Sequence, residues 1–499
     1  MSKVVRERLQ QTIQCMEEAT GFIGIRCANV SAEKPENVQL VIELLTDTQN
    51  LAIAFGTRVE KLKGLGTRTV EELEKYCECL FYVNESIGMA DAADAIKNLT
   101  MQLELVKSAF EVDFPNKKEI VFLPYKASMW DSLESVWMAA KADPECEVYV
   151  IPIPYYDRNP DGTFGTLHYE GDMYPDYLEV TSYEEYNIED RCPDIIYIHN
   201  PYDEYNLVTS VAPDFYSHNL KKYTKCLVYI PYFLAGYYFN EQKAVFNIPR
   251  CINNIDIWIL QGEMQKKIFS INKQIADKLV VLGSPKIDKM VHLSGKTLDA
   301  KLEKKIQGRN TILVNTSISR ILNDQQWFTK MRQLIMLFQQ RKDLFMIWRP
   351  HPLLFATISA MRSNKMKEME EIVDLVNELD NTYIDMTPSA DCAIAVSDGL
   401  ISDYSSLVLQ YTAIEKPVLL TVGKSKFRET RLVCGDYFSN YFMQDGETVE
   451  DFFEMIKNKN DYKKVERMRY FRNSIVNTDG TCGEKIHAYI KKLGEKNGV

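Results

Sequence analysis

The chain has 499 residues, 45% of them hydrophobic and 26% charged, and a formal net charge of −11. That length exceeds one ordinary core and predicts two or three domains of a soluble globular protein. The negative balance excludes a general nucleic-acid binder, which would carry a basic face or stripe.

The opening segment, "MSKVVRERLQQTIQCMEE", lacks the apolar core of a signal peptide. No stretch reaches the roughly eighteen apolar residues of a membrane span, so a cytoplasmic location is expected. The 11 cysteines are scattered, with no paired CxxC spacing beside histidine. No zinc, and no other metal or cofactor, is expected from them. Thiols in apolar runs, such as Cys226 and Cys392, read as reduced and buried, which suits the cytosol.

From Val4 to about Phe114 the pattern is helical, with apolar residues three and four apart in "ENVQLVIELLTDTQNLAIAF" and "TRTVEELEKYCECLFYV". Residues 1–115 are therefore expected to form an all-helical segment whose Leu, Ile and Met stripes are packing surface. Thr69 to Glu72 resembles a capping box. From Glu119 strands alternate with helices: "EIVFLPY", "WDSLESVWMAAKA", "CEVYVIPIPY", "DIIYIHN" and "CLVYIPYF". An irregular stretch from Asp157 to Glu189 has a length typical of functional or mobile loops. A second alternating series follows: "IDIWIL", "KLVVLGSP", "NTILVNTS", "LFMIWRPHP", "DGLISDYSS" and "KPVLLTV". The expectation is two α/β domains, residues 116–250 and 251–499, each a doubly wound parallel sheet. Their boundary is expected near Gln242 to Asn254, with a cleft where the strand ends face each other.

Three strand ends in the second half are polar. Gly283-Ser284-Pro285 precedes a helix containing Asp288, and a glycine there lets the backbone approach a ligand closely. Arg349 and His351 end a buried strand. They suit a phosphate, or else form a structural ion pair and a satisfied core histidine. Asp403-Tyr404-Ser405-Ser406 interrupts an apolar strand, helix, strand unit. There it either holds an anion through Ser405, Ser406 and the helix amides, or Ser402 or Asp403 is merely a helix cap.

Together "LGSPKIDKM", "NTSISR", "WRPHP" and "GLISDYSSLVLQYTAIEKPVLL" resemble the CDP-glycerol glycerophosphotransferases of bacterial teichoic acid and cell-surface polymer synthesis, over roughly residues 220 to 450. The resemblance implies a GT-B-like pair of domains after the helical segment, with a CDP-alditol donor site in the second. It implies donor contacts from Gly283, Ser284, Asn315, Thr316, Arg349, His351, Asp403, Ser405 and Ser406. The partners implied are CDP-glycerol or another CDP-alditol, a lipid-linked or polymer acceptor, and peripheral contact with the inner face of the cell membrane. The first half departs from the family: where well-known polymerases carry Trp-His-Gly, this chain reads "CLVYIPYFLAGYYF". Substitute bases are His199 at a strand end, Asp131 (a base or a cap) and Asp203. The competing readings are a GT-B glycosyltransferase using a nucleotide sugar and a non-catalytic nucleotide-binding homologue.

Overall fold

The computed structural model describes residues 2–28, 35–159, 161–200, 202–206, 208–234, 248, 250–293, 300–351, 354–387, 389–403, 405–421 and 448–496. Four helices come first: α1 (Lys3–Ala28), α2 (Pro35–Lys63), α3 (Arg68–Ser86) and α4 (Ala92–Asp113). Val5, Leu9, Ile13, Met16, Thr20 and Ile23 recur three or four residues apart, so α1 buries one stripe. That stripe meets Leu73, Tyr76, Leu80 and Val83 of α3 in a common core. Its polar member Thr20 places its hydroxyl 2.7 Å from that of Tyr76. The cap of α3 is Thr67, whose side chain accepts from the Val70 amide. The expected Thr69–Glu72 box is not formed, because Thr69 donates through both its amide and its hydroxyl to Asp113.

The strands follow in chain order. They are β1 (Lys118–Leu123), β2 (Cys146–Val150), β3 (Tyr155–Arg158), β4 (Phe164–His168), β5 (Ile195–Ile198), β6 (Thr209–Val211) and β7 (Cys226–Tyr229). After these come β8 (Ile257–Leu260), β9 (Leu279–Val281), β10 (Asn310–Thr316), β11 (Leu344–Pro350), β12 (Thr382–Ile384), β13 (Gly399–Ser402) and β14 (Val418–Leu420). They build a parallel sheet in the order β2-β1-β5-β7-β8-β9 and a second in the order β12-β11-β10-β13-β14. β3, β4 and β6 form a small antiparallel sheet.

Two sequence expectations change here. "IDIWIL" and "KLVVL" pair in the first sheet, as β8 and β9, so a cut at 250/251 would divide that sheet. Strands of a parallel sheet are buried on both faces and read alike, so their apolar runs carry no mark of which sheet they join. Much of the expected boundary at Gln242 to Asn254 lies outside the described residues. The stretch 157–189 is not wholly irregular, because it contributes β4 and the end of β3, paired from Tyr155–His168 to Arg158–Phe164.

The strand order of each sheet reverses once. In the first, β1 has β2 on one side and β5 on the other; in the second, β10 lies between β11 and β13. Ligands of open α/β sheets bind outside the carboxyl ends of the strands at such switch points. The helical bundle docks at the opposite, amino edge of the first sheet. There Asp194, just before β5, accepts from the amides of Lys3 and Glu119, and Arg58 pairs with Asp190 at 2.8 Å. The carboxyl edge is thereby left to the site.

The two α/β halves are joined by α5 (Pro285–Val291), which follows β9. Lys286 bonds both oxygens of Asp131 at 2.6 Å, and Lys289 pairs with Asp391 at 3.1 Å. Asp288 accepts from the Cys482 and Gly483 amides, which begin the last helix, α6 (Cys482–Lys496). The apolar Ile287 and Met290 of α5 enter the second domain's core. Helix α6 returns to the first domain, where Ile486 and Ile490 pack with Val136 and Ala140, and Lys491 reaches Asp143 at 2.7 Å.

Candidate active site

At the switch point of the second sheet, β10 ends in Asn315-Thr316 and β13 in Ser402, and the register sets Asn315 beside Ser402. The Asn315 side-chain amide donates to the hydroxyls of Ser402 at 2.9 Å and Ser405 at 3.1 Å. Asp403 accepts from the amide and hydroxyl of Ser317 at 2.8 and 3.0 Å, both through Oδ2. Its Oδ1 is buried and meets no partner among the described residues. Burial raises the Asp403 pKa against the lowering effect of the Ser317 bonds. Ser405 is half-buried and Ser406 exposed.

Neither Ser402 nor Asp403 caps the helix Leu407–Ala413. Its first flanking residue is Ser406, which makes no side-chain cap, while the Ser402 hydroxyl turns to the Asp403 carbonyl at 2.6 Å. Tyr404 lies outside the described residues. Thr316 is buried, and its hydroxyl accepts from the Trp348 indole at 3.1 Å.

Arg349 takes the structural alternative. It is buried, bonds Asp385 at 2.5 Å, and donates to the Thr387 carbonyl at 2.9 Å. His351, one residue past β11, is exposed, and desolvation holds its pKa below the ordinary value. Gly283 has φ +101°, and a Cβ there would lie 2.5 Å from the Val476 carbonyl oxygen. The close approach that requires glycine is thus to the chain's own backbone. Ser284 is buried, with a hydroxyl that meets no partner among the described residues.

At the switch point of the first sheet the surroundings are aromatic. His199 is fully buried: its Nε2 accepts from the Tyr125 amide at 3.1 Å, and Nδ1 lies 3.1 Å from the Ser132 hydroxyl. An Nε2 that accepts puts the neutral ring's proton on Nδ1. Burial, assisted by the Lys286 charge, pushes the His199 pKa down to about 3. The lone pair a base would use is already occupied. Asp131 lies in the 3-10 turn Ala127–Ser132 and is neither a cap nor solvent-facing, because both oxygens bond Lys286. Asp203, at φ 46°, accepts from the Ser217 amide and hydroxyl at 2.8 and 2.5 Å, and burial raises its pKa.

Among the described residues two clusters have metal-ligand chemistry, Asp143/Cys146/His487 and Asp203/Glu204/His218. In the first, Asp143 Oδ2 already takes His487 at 2.9 Å and Lys491 at 2.7 Å. In the second, Ser217 holds both Asp203 oxygens. Sequence reasoning missed Ser317, Lys286 and Lys126. Lys126 follows Pro124-Tyr125 directly after β1, a strand-end position that could have marked it. Among the described residues no helix is long and apolar enough to cross a membrane.

A model of the family CDP-glycerol:poly(glycerophosphate) glycerophosphotransferase matches residues 237–492, just over half of the chain. No curated protein matches. Among solved structures, one of the wall teichoic acid polymerase TagF aligns over 85% of this chain and 99% of its own, at 13% identity and TM-score 0.50. A protein described as a putative UDP-N-acetylglucosamine 2-epimerase from Listeria monocytogenes aligns over 76% and 97%, at 14% identity and TM-score 0.50. These likenesses show the fold, a GT-B-like pair of α/β domains.

Proposed function

Because this chain belongs to the CDP-glycerol:poly(glycerophosphate) glycerophosphotransferase family, we propose that it moves glycerol phosphate, or a related alditol phosphate, from a CDP-alditol to a hydroxyl of a cell-surface polymer or lipid-linked acceptor. An acceptor hydroxyl attacks the β-phosphorus. The new O–P bond forms as the bond to the bridging oxygen breaks, CMP leaves with that oxygen, and the acceptor's proton passes to a base or to water. Such transfer is catalysed mainly by positioning and by neutralising charge on the phosphoryl oxygens.

The observation that carries this reading is the convergence of Asn315, Ser402 and Ser405 at the switch point of β10 and β13. Ser405, Ser406 and His351 are the donor's phosphate contacts in this reading. Asp403, while ionised, is an acceptor only, so its Oδ1 suits a hydroxyl of the donor better than a phosphoryl oxygen. Arg349 acts indirectly, by fixing Asp385 and Thr387. The acceptor brings the protein to the inner face of the membrane as a peripheral visitor.

A screen of CDP-glycerol, CDP-ribitol and UDP-sugars by thermal shift and CMP release tests the reading. A CDP-alditol at a hundred times its dissociation constant is expected to add about 2.7 kcal/mol of stability. Stabilisation by a UDP-sugar and by no CDP-alditol overturns it in favour of a glycosyltransferase. One observation favours a second reading, a nucleotide-binding homologue without turnover: His199, Asp131 and Asp203 are all engaged internally. Binding without CMP release under any acceptor would select it.

A further inference from the structure

Among the described residues, the switch-point crevice of the first sheet holds a cation without an anion paired to it. Lys126 is half-buried, with its ammonium 4.7 Å from the Tyr155 ring centroid and 5.8 Å from that of Tyr125. Among the described residues no carboxylate lies within ion-pair distance of it. The nearby Glu170 is committed elsewhere, accepting from the Ala127 amide at 2.8 Å and the Tyr155 hydroxyl at 2.7 Å. In a chain of net charge −11, an ammonium held on ring faces is left with its three donors for a ligand.

A second, independent feature lies on the adjacent strand. β1 and β5 pair in parallel up to Leu123 and Ile198, and the Tyr125 amide reaches His199, so Asn200 stands beside the Tyr125-Lys126 segment. Asn200 is only 7% exposed. Its Oδ1 accepts from the Tyr202 amide at 3.2 Å, while Nδ2 meets no acceptor among the described residues. A buried amide donor without a partner is costly unless a ligand or water satisfies it. The Tyr232 ring lies nearby, 6.1 Å from that of His199.

We propose that Lys126 and Asn200 form a phosphoryl-binding subsite in the first sheet's switch-point crevice, separate from the donor site, which takes a phosphate group of a polyol-phosphate acceptor. The assignment to an acceptor rests on the transferase reading above; the anion site does not. Lys126 supplies charge and Asn200 a neutral donor, a pair that fits the oxygens of a phosphate better than the hydroxyls of an uncharged polyol.

The test is titration calorimetry of wild type, Lys126→Ala, Lys126→Arg and Asn200→Asp with three probes: inorganic phosphate, a short glycerol phosphate oligomer, and CDP-glycerol. Melting temperatures identify any variant that fails to fold, and Lys126→Arg keeps the charge in that event. The oligomer is expected to bind wild type more tightly than inorganic phosphate. Its affinity should fall about tenfold or more in Lys126→Ala and Asn200→Asp, and stay within a few-fold in Lys126→Arg, with CDP-glycerol affinity unchanged throughout. Unchanged oligomer affinity in either Lys126→Ala or Asn200→Asp overturns the subsite. An equal loss for CDP-glycerol assigns Lys126 to the donor and also overturns it. Equal binding of oligomer and inorganic phosphate overturns the acceptor assignment. Failure of wild type to bind CDP-glycerol, with the oligomer result intact, sinks the donor reading alone.

Discussion

The two switch-point crevices solve different problems with different materials. The second is lined by small groups, Asn315, Ser317, Ser402 and Ser405, whose polar side chains bond among themselves and to Asp403 and can turn to a ligand with little loss. The first is walled by Tyr125, Tyr155 and Tyr232, and its His199, Asp131 and Asp203 are buried and held by partners within the protein. Hydroxyl webs adapt to a phosphate that arrives. A rigid aromatic wall instead fixes the position of one uncommitted charge.

The largest expected effect separates scaffold from site at the second crevice. Replacing Arg349 by Ala leaves Asp385 buried without its cation and should cost about 3–5 kcal/mol of stability in denaturant unfolding. Donor affinity, corrected for the fraction folded, should change less than stability does. A direct loss of CDP-alditol binding at unchanged stability would put Arg349 in the adaptable web instead.

Next comes the web itself. Ser405→Ala with Ser406→Ala removes two hydroxyls, and CDP-alditol affinity should fall about tenfold to a hundredfold with the fold retained. Untouched affinity would remove the donor site from this strand edge, and the contrast with the first crevice would lose its meaning.

How much of this was legible in the sequence depended on distance along the chain. The polar tetrad could be found because Asp403 to Ser406 interrupts a strand and helix that are otherwise apolar, a contrast visible within about ten residues. Arg349 could not be assigned, since its partner Asp385 lies 36 residues away, nor could Asp131, whose partner Lys286 is 155 residues away. Within its own segment Arg349 reads as a phosphate ligand or an ion pair and Asp131 as a base or a cap, and the partner that decides each lies beyond that segment. Lys126 escaped notice because a single lysine after a strand reads as a solvated charge. Its place just past the strand end is a weak mark, and the absence of a carboxylate around it, among the described residues, is what sets it apart.

The first crevice can be tested through pH. His199 is held neutral in the folded state, with its pKa at about 3, below the value near 6.5 of an exposed histidine. Between those two values the unfolded chain binds a proton that the folded chain refuses. Stability from this group is therefore full above about pH 6.5 and is lost as pH falls toward 3. His199→Gln keeps an acceptor and a donor but does not titrate, so between about pH 6 and 4 it should lose about 1.4 kcal/mol per pH unit less than wild type. Equal slopes would mean that the folded histidine takes up its proton freely, and would restore it as a candidate base.

The smallest effect concerns how the second crevice is held. Ser317 caps the helix Ile318–Asn323 by accepting from the Arg320 amide, and its hydroxyl also donates to Asp403. Ser317→Ala should cost about 1 kcal/mol through the lost cap. The Ser317 amide remains to hold Asp403 at 2.8 Å, so the carboxylate keeps its place, and donor affinity should drop only a few-fold as one of its two bonds is lost. A melting curve and a CDP-alditol titration on this one variant measure the two consequences together. A large loss of affinity with little loss of stability would mean that the hydroxyl contacts the donor itself, so that Ser317 belongs to the web as a ligand contact and not only as the group that holds Asp403.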